Sequence, residues 1–251
     1  MTYLAIALAA FVSWIVSTVG GGGGALLLVP AVGFLVGAQA VAPVVTLASL
    51  AGGLSRSALF WRSIDWRIVR WYLPGAIVGA VAGASAFTAA RAEWLQIIVG
   101  LFLISTVWQY RFGKRARAFR VRLWWFLPAG LVVSFFSGLI GATGPVLNPL
   151  YLNIGVVKEE MIGTKTVSSL VMHVIKLGTY TALGALTGRL FLYGAVAGVA
   201  AAAASWVGRR VLGRITEERF RQVVIAVMVV SGIAMVWGQR EVVVGFVVGN
   251  G

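Results

Sequence analysis

The feature that most constrains the fold is a nearly continuous series of apolar stretches separated by short polar connections. Several of them reach about 18–23 residues, enough for a helix to cross a hydrocarbon layer of roughly 30 Å. Because 60% of the 251 residues are hydrophobic and only 11% are charged, one soluble core could not bury this much apolar surface. We therefore predict an all-α polytopic membrane protein. The stretches lie at about 3–19, 25–37, 40–60, 69–89, 93–110, 123–140, 146–157, 161–183, 190–207 and 220–237.

The basic residues are concentrated in three short connections between apolar stretches. The net charge of +14 could by itself suggest nucleic-acid binding. The clusters lie at 62–70, 111–122 and 209–221, however, and basic loops are typical of the cytoplasmic side of a membrane protein. We therefore predict cytoplasmic connections and no nucleic-acid partner. Contact of these clusters with anionic lipid or with a partner is the alternative.

The parity of crossings between the basic connections predicts how the chain crosses the membrane. Two long apolar stretches return the chain from the first connection to the second, and two others suffice between the second and the third. The remaining region, 123–157, must therefore cross an even number of times. Its polar middle, Ser137–Asn148, indicates a broken hairpin, and region 3–37 has the same anatomy around Gly20–Gly24. Both termini then face outside.

Sequence matches divide the chain into two similar halves. LPGAIVGAVAG at 73–83 aligns with LYGAVAGVAAA at 192–202, and TLASL at 46–50 aligns with TVSSL at 166–170. Each half reads as a broken, re-entrant helical hairpin followed by three transmembrane helices. Two such tandem halves must lie in opposite orientations, as in many secondary transporters. The predicted organisation is a first inverted repeat at 1–110, a basic cytoplasmic connector at 111–122, a second inverted repeat at 123–240 and a C-terminal tail at 241–251.

The two glycine-containing breaks are candidate anion sites. They are GGGGGALLLVP at Gly20–Pro30 and SGLIGATGPVLNP at Ser137–Pro149. Helices that restart at about Ala25 and Val146 would point their N-termini, with free N–H groups and a positive dipole end, at the tip of each hairpin. The alternative is that the glycines serve only close helix packing. The candidate binding residues are Gly22, Gly23, Gly24, Gly141, Thr143, Gly144 and Asn148.

A stripe of polar residues on the helix after each hairpin is the second candidate. Thr166, Ser169, His173 and Lys176 follow a spacing that places them on one helix face, and the aligned residues of the first half are Thr46, Ser49, Gly53 and Arg56. Ionisable residues inside a membrane usually face a cavity or a partner. Arg56 could instead extend to the cytoplasmic interface, as we expect of Lys165, and His173 fits either packing or proton transfer. We include Ser49, Arg56, Thr166, Ser169, His173 and Lys176 in the predicted site.

The seven acidic residues indicate the charge of the substrate by their positions. All of them fall in predicted connections or at helix ends, so none is available to bind a cation inside the membrane. The chain has no cysteine, and it lacks the zinc-protease and nucleophile-elbow motifs. These observations disfavour an enzyme, a metal site, a cofactor and a cation carrier. Hydroxyls, backbone N–H groups and cations remain, and they suit an anion.

The chain resembles the TauE/SafE family of sulfite and organosulfonate exporters over nearly its whole length. The resemblance rests on GGGGGALLLVP, the connection WRSIDWR at 61–67, LPGAIVGAVAG, and the second glycine-containing break followed by GTKTVSSL at 163–170. It implies export of sulfite, sulfoacetate or a related sulfur-containing anion across the bacterial inner membrane. The second break departs from the glycine-rich tip expected of the family.

The sequence thus predicts a multi-pass transporter that moves a small sulfur-containing anion by alternating access between the hairpin tips. The expected partners are this anion and the lipid bilayer, with homodimerisation left open. An uptake permease or channel for another small anion is the first alternative. A membrane scaffold subunit that transports nothing is the second, and it would need packing glycines but no matched cationic stripes.

Overall fold

The computed structural model describes residues 1–19, 24–112, 121–142, 146–156, 158–211 and 217–242, and within these ranges its regular structure is helical. The helix bounds follow the apolar stretches closely, which confirms the predicted all-α class. Two short 3-10 turns precede α4 and α6, at Trp61–Ser63 and Leu123–Trp125. The helices are α1 (Thr2–Val19), α2 (Gly24–Leu35), α3 (Ala38–Phe60), α4 (Trp66–Ala89), α5 (Ala92–Phe112), α6 (Phe126–Ile140), α7 (Asn148–Asn153), α8 (Lys158–Ala182), α9 (Gly188–Val211) and α10 (Glu217–Trp237).

Two helix ends that position the candidate site have clear local causes. The carboxylate of Asp65 accepts a hydrogen bond from the backbone N–H of Arg67 at 2.9 Å, which caps the N-terminus of α4. At the other end of the membrane region, α6 stops at Gly141, whose φ of 93° is left-handed, a conformation that glycine adopts without strain. The Gly141 N–H donates to the carbonyl of Ser137 at 2.8 Å. The second break therefore begins as a regular helix C-cap.

Close backbone contact between α4 and α6 explains the glycine spacing in LPGAIVGAVAG. A Cβ atom added at Gly75, Gly79 or Gly83 would collide with the backbone carbonyl oxygen of Leu127, Leu131 or Phe135, respectively. Small residues at four-residue spacing allow two helices to approach this closely. These three glycines are thus packing residues. They hold α6, and with it the second break, against α4.

Helices α3 and α8 pack against each other, and α3 is the more enclosed of the two. Helix α3 packs against α2, α8 and α9, and α8 packs against α3 and α4. Residues 40–46 of α3 are all buried, and so is Lys176 of α8. Polar groups on the facing surfaces of these two helices are therefore shielded from lipid.

Among the residues that the structure describes, three helical segments are long and apolar enough to cross a membrane by length and composition: Trp66–Ala89, Leu123–Ile140 and Gly188–Val207. Large apolar side chains such as Val199 and Trp206 lie fully on the outer surface, with exposures of 73% and 63%. An outer surface of this kind fits a hydrocarbon environment and would be costly in water. The structure therefore fits a helical membrane protein.

The two hairpin regions differ in their second arm. In the first half α2 begins at Gly24, contacts α1 and runs for 12 residues. In the second half Val146 and Leu147 form a turn, so α7 begins at Asn148, two residues later than predicted, and has only six residues. A helix this short carries little dipole. The predicted anion site at a second helix N-terminus thus loses much of its physical basis.

Candidate functional site

The side chain of Lys176 is the central feature of the candidate site. It extends from α8 to the C-terminal turn of α6 and is 0% exposed. Its Nζ donates to the carbonyl oxygen of Ser137 at 3.1 Å, to the hydroxyl of Ser137 at 3.0 Å and to the carbonyl oxygen of Gly141 at 3.4 Å. Each acceptor is electrically neutral. The amino group of Lys176 is thus buried between α6 and α8 with only neutral groups as hydrogen-bond partners.

A polar face of α3 lies opposite Lys176. Thr46, Ser49 and Gly53 follow one another at intervals of three and four residues and therefore share one face with Ala42. At one end of this face Ala42 lies against Gly141, where an added Cβ would be 3.0 Å from the Ala42 Cα. At the other end Gly53 lies against Leu170 of α8, whose Cδ2 would be 3.0 Å from an added Cβ.

Gly141 and Leu170, which contact the two ends of the α3 face, also mark the part of α8 that carries His173 and Lys176. His173 and Lys176 lie three and six residues after Leu170, and the ammonium of Lys176 reaches Gly141. Thr46 and Ser49 therefore face the segment of α8 that carries His173 and Lys176. Parts of the two predicted stripes, Thr46 and Ser49 on α3 and His173 and Lys176 on α8, therefore lie on facing segments.

Two polar atoms at this place lack a hydrogen-bond partner. They are Ser49 Oγ and His173 Nδ1, on residues that are each 8% exposed, whereas the hydroxyl of the fully buried Thr46 lies beside that of Tyr180. Leaving a buried polar group unpaired costs about 1–3 kcal/mol, and native structures do so rarely. Two such groups near the buried Lys176 are consistent with a place that binds a polar ligand.

No carboxylate neutralises this cation within the part of the chain that the structure describes. The ion pair found there joins Arg67 to Asp65 at 2.9 Å, at the start of α4. The guanidinium of Arg67 holds the pKa of Asp65 below its usual 3.8. A protonated Lys176 therefore has no carboxylate counter-ion among the described residues, and an anion at this place would stabilise its charged form.

The other predicted residues of α8, Thr166 and Ser169, are both half-buried. Ser169 lies one helical turn before His173 and Thr166 lies two turns before it, so both stay predictions.

The predicted hairpin residues are only partly described. Gly24 begins α2, and the N–H of Gly141 is already used within the C-cap of α6. Asn148 begins α7, and its side-chain oxygen accepts a hydrogen bond from Lys165. Gly22, Gly23, Thr143 and Gly144 lie outside the described residues, as does the side chain of Arg56, although its backbone belongs to α3.

The expectation that Lys165 extends to the cytoplasmic interface stays a prediction. Its Nζ donates to Asn148 Oδ1 at 2.5 Å, and the residue is half-buried. The preceding residue, Thr164, accepts a hydrogen bond from the backbone N–H of Asp65 at 2.9 Å, so Lys165 lies near the start of α4.

Two contact residues were missed by the sequence reasoning. Ser137 supplies two of the three ligands of Lys176, and the hydroxyl of Tyr180 donates to the carbonyl of Gly138. Ser137 was recognised only as the first polar residue of the second break. Tyr180 could have been found from its position, because it lies one helical turn after Lys176 on the same face of α8.

Comparison with known families identifies the kind of protein that carries this site. The family model described as Sulfite exporter TauE/SafE matches residues 6–235, nearly the whole chain. The chain belongs to the TauE/SafE family. This assignment confirms the resemblance noted in the sequence and makes the protein a member of a family of membrane transporters for sulfur anions. No curated protein and no solved structure matches the chain significantly.

Proposed function

We propose that this TauE/SafE protein is a multi-pass transporter of the bacterial inner membrane that exports sulfite or a small organosulfonate such as sulfoacetate. The observation that carries the proposal is the buried cation of Lys176, which faces unpaired polar groups on α3 and α8 and has no carboxylate beside it. Tetrahedral and pyramidal sulfur oxyanions offer several acceptor oxygens to such a group of donors. A single negative charge would also compensate the ammonium.

The proposed anion is bound by side chains rather than by the glycine tips alone. The hydroxyls of Thr46 and Ser49 donate hydrogen bonds to its oxygens, and His173 donates from an N–H at Nδ1. Lys176 keeps its bonds to α6 and contributes mainly through its field. In a site without bulk water this field acts at low dielectric and is stronger than at the surface.

Alternating access between two inverted repeats is the transport mechanism that we propose. The main contacts among the long helices support it, because they correspond when the first five helices are exchanged for the last five, although α2 packs against α1 and α3, and α7 has no matching contacts among the described residues. Helix α4 packs against α6 as α9 packs against α1, and α3 packs against α9 as α8 packs against α4. The pairs α3–α8 and α5–α10 are each their own counterpart. In this arrangement the candidate site lies between the repeats, where a rocking motion would expose it to each side in turn.

The proposal is tested by ligand binding followed by transport. The purified protein is heated with sulfite, sulfoacetate, taurine, sulfate, acetate or chloride at constant ionic strength, and the anions that raise the unfolding temperature are then tested in proteoliposomes. We expect stabilisation by sulfite or sulfoacetate, and electrochemical or isotopic detection of their movement only with protein present. Stabilisation by carboxylates alone would favour a permease for another anion, and no response to any anion would favour the scaffold alternative.

A further inference from the structure

Three neutral oxygens surround the amino group of Lys176. Two are backbone carbonyls of the last turn of α6, and the third is the hydroxyl of Ser137. The Ser137 carbonyl also accepts the N–H of Gly141 at 2.8 Å and therefore binds Lys176 as a second donor, whereas the Gly141 carbonyl lies just beyond the last helical residue. The dipole makes this end of the helix negative. Carbonyl and hydroxyl oxygens at helix C-termini and unwound segments are the ligands with which transporters bind monovalent cations.

The backbone around this oxygen set is held in place on two sides. An added Cβ at Gly138 would lie 2.6 Å from the backbone nitrogen of Ala84 in α4, and one at Gly141 would lie 3.0 Å from Ala42 in α3. The hydroxyl of Tyr180 binds the carbonyl of Gly138. The ligands therefore keep their geometry through contacts that do not involve Lys176 itself.

We propose that these oxygens are a monovalent-cation site, which Lys176 occupies as a cation tethered to the chain. An ammonium group and a small inorganic cation satisfy the same neutral oxygens. The tethered charge stabilises the C-terminus of α6 without an ion from solution. For the transporter proposed above, it follows that sodium is not required at this position.

The geometry makes a specific prediction for the variant Lys176→Ala. The substitution removes Cγ, Cδ, Cε and Nζ, which together have the shape of n-propylammonium. This ion should enter the vacated space and restore the lost interactions, because the oxygen set remains. Potassium and ammonium, whose distances to oxygen resemble those of the Lys176 ammonium, should restore less, and choline, which is too large, should restore nothing.

The experiment measures thermal unfolding in detergent without sulfite or any sulfonate, so its outcome is independent of anion transport. Each salt replaces choline chloride at constant ionic strength. We expect Lys176→Ala to unfold at a lower temperature than the wild type in choline, and n-propylammonium to recover at least half of that loss. The wild type should not respond. If Lys176→Ala can be purified only with n-propylammonium present, that result would support the same conclusion.

Two further variants keep the test decisive. Lys165→Ala makes the same substitution on the same helix at a lysine bonded to the Asn148 side chain, and it should show no cation-specific recovery. Lys176→Met fills the space with an uncharged stem, so it should be less stable than the wild type and unresponsive to every cation. The proposal is overturned if Lys176→Met is as stable as the wild type or if purified Lys176→Ala responds equally to all salts. It is also overturned if sodium stabilises the wild type as strongly as n-propylammonium stabilises Lys176→Ala.

Discussion

Two cations of this protein have opposite surroundings. Arg67 is 76% exposed on its side chain, yet it is paired with the carboxylate of Asp65. Lys176 is completely buried, yet its ligands are neutral oxygens. An exposed ion pair contributes about 0–1 kcal/mol, whereas a buried charge without a counter-ion is costly. The carboxylate is thus paired with a cation that water also solvates, and the buried Lys176 has no carboxylate beside it among the described residues.

The local structure explains why Arg67 has its partner. Asp65 caps α4 through the backbone N–H of Arg67 and binds the guanidinium of the same residue at 2.9 Å through its second oxygen. The backbone N–H of Asp65 donates to the hydroxyl of Thr164 in α8 at 2.9 Å. This group ties the start of α4 to α8, so its role is structural. The comparison therefore separates a cation that holds the fold from a cation that we assign to ligand binding.

The largest expected effect comes from removing the buried charge. Lys176→Met keeps most of the length of the stem and should weaken binding of the transported anion ten- to hundredfold, about 1–3 kcal/mol. Arg67→Met is the matched control at the exposed cation and should leave affinity within about twofold, because bulk water and salt screen its charge. Calorimetric titration of both variants with sulfite or the best sulfonate measures the difference. Equal losses of affinity at the two positions would show that the buried charge of Lys176 has no special role in anion binding.

A smaller effect is expected from the unpaired hydroxyl of Ser49. Ser49→Ala should reduce anion affinity about three- to tenfold by removing one hydrogen bond to a charged ligand. Without the anion, Ser49→Ala should be as stable as the wild type or more stable, because the substitution removes a buried hydroxyl that has no partner.

Ser57 on the same helix is the control for this substitution. Its hydroxyl donates to the carbonyl of Leu54 at 2.9 Å, so Ser57→Ala should not alter anion affinity. Binding and unfolding are measured on both variants. A loss of stability without a loss of affinity in Ser49→Ala would assign the hydroxyl to the fold.

The smallest effect concerns the paired cation and depends on pH. Because the pKa of Asp65 is lower in the folded protein than its usual 3.8, its ionised form stabilises the fold above that value. The contribution disappears as the pH falls through the folded-state pKa. Asp65→Asn should therefore be less stable than the wild type at pH 7 by less than about 1 kcal/mol. The difference should shrink below about pH 4, as thermal unfolding at several pH values would show, whereas a constant difference would mean that the charge of Asp65 has no part in it.

Much of the fold could be predicted from the sequence because lipid makes long apolar stretches nearly sufficient to define helices. The stretch predicted at 69–89 is α4 at Trp66–Ala89, and the one at 161–183 is α8 at Lys158–Ala182. Helical spacing also predicted that His173 and Lys176 share a face. Spacing within one helix cannot tell which other segment lies opposite, and for that reason the contact of Lys176 with Ser137, 39 residues away, was not foreseen.

The partner of Lys165 was not foreseen for the same reason. Asn148 is 17 residues away, and their contact depends on the path of the chain through the second break, which the sequence did not define. The length of α7 was also missed, since an apolar run alone does not reveal that Val146 and Leu147 form a turn.

The most direct test of the central claim is to give Lys176 a carboxylate of its own. Ser49→Asp places an anion on the face of α3 that lies opposite the ammonium, and Ser49→Asn is the matched uncharged control. Sulfite or sulfonate binding is measured by calorimetry on both variants and on the wild type. If the buried cation exists to receive a mobile anion, Ser49→Asp should fold and lose binding almost completely, while Ser49→Asn keeps a measurable affinity. Wild-type affinity in Ser49→Asp would contradict the assignment of this place as the anion site.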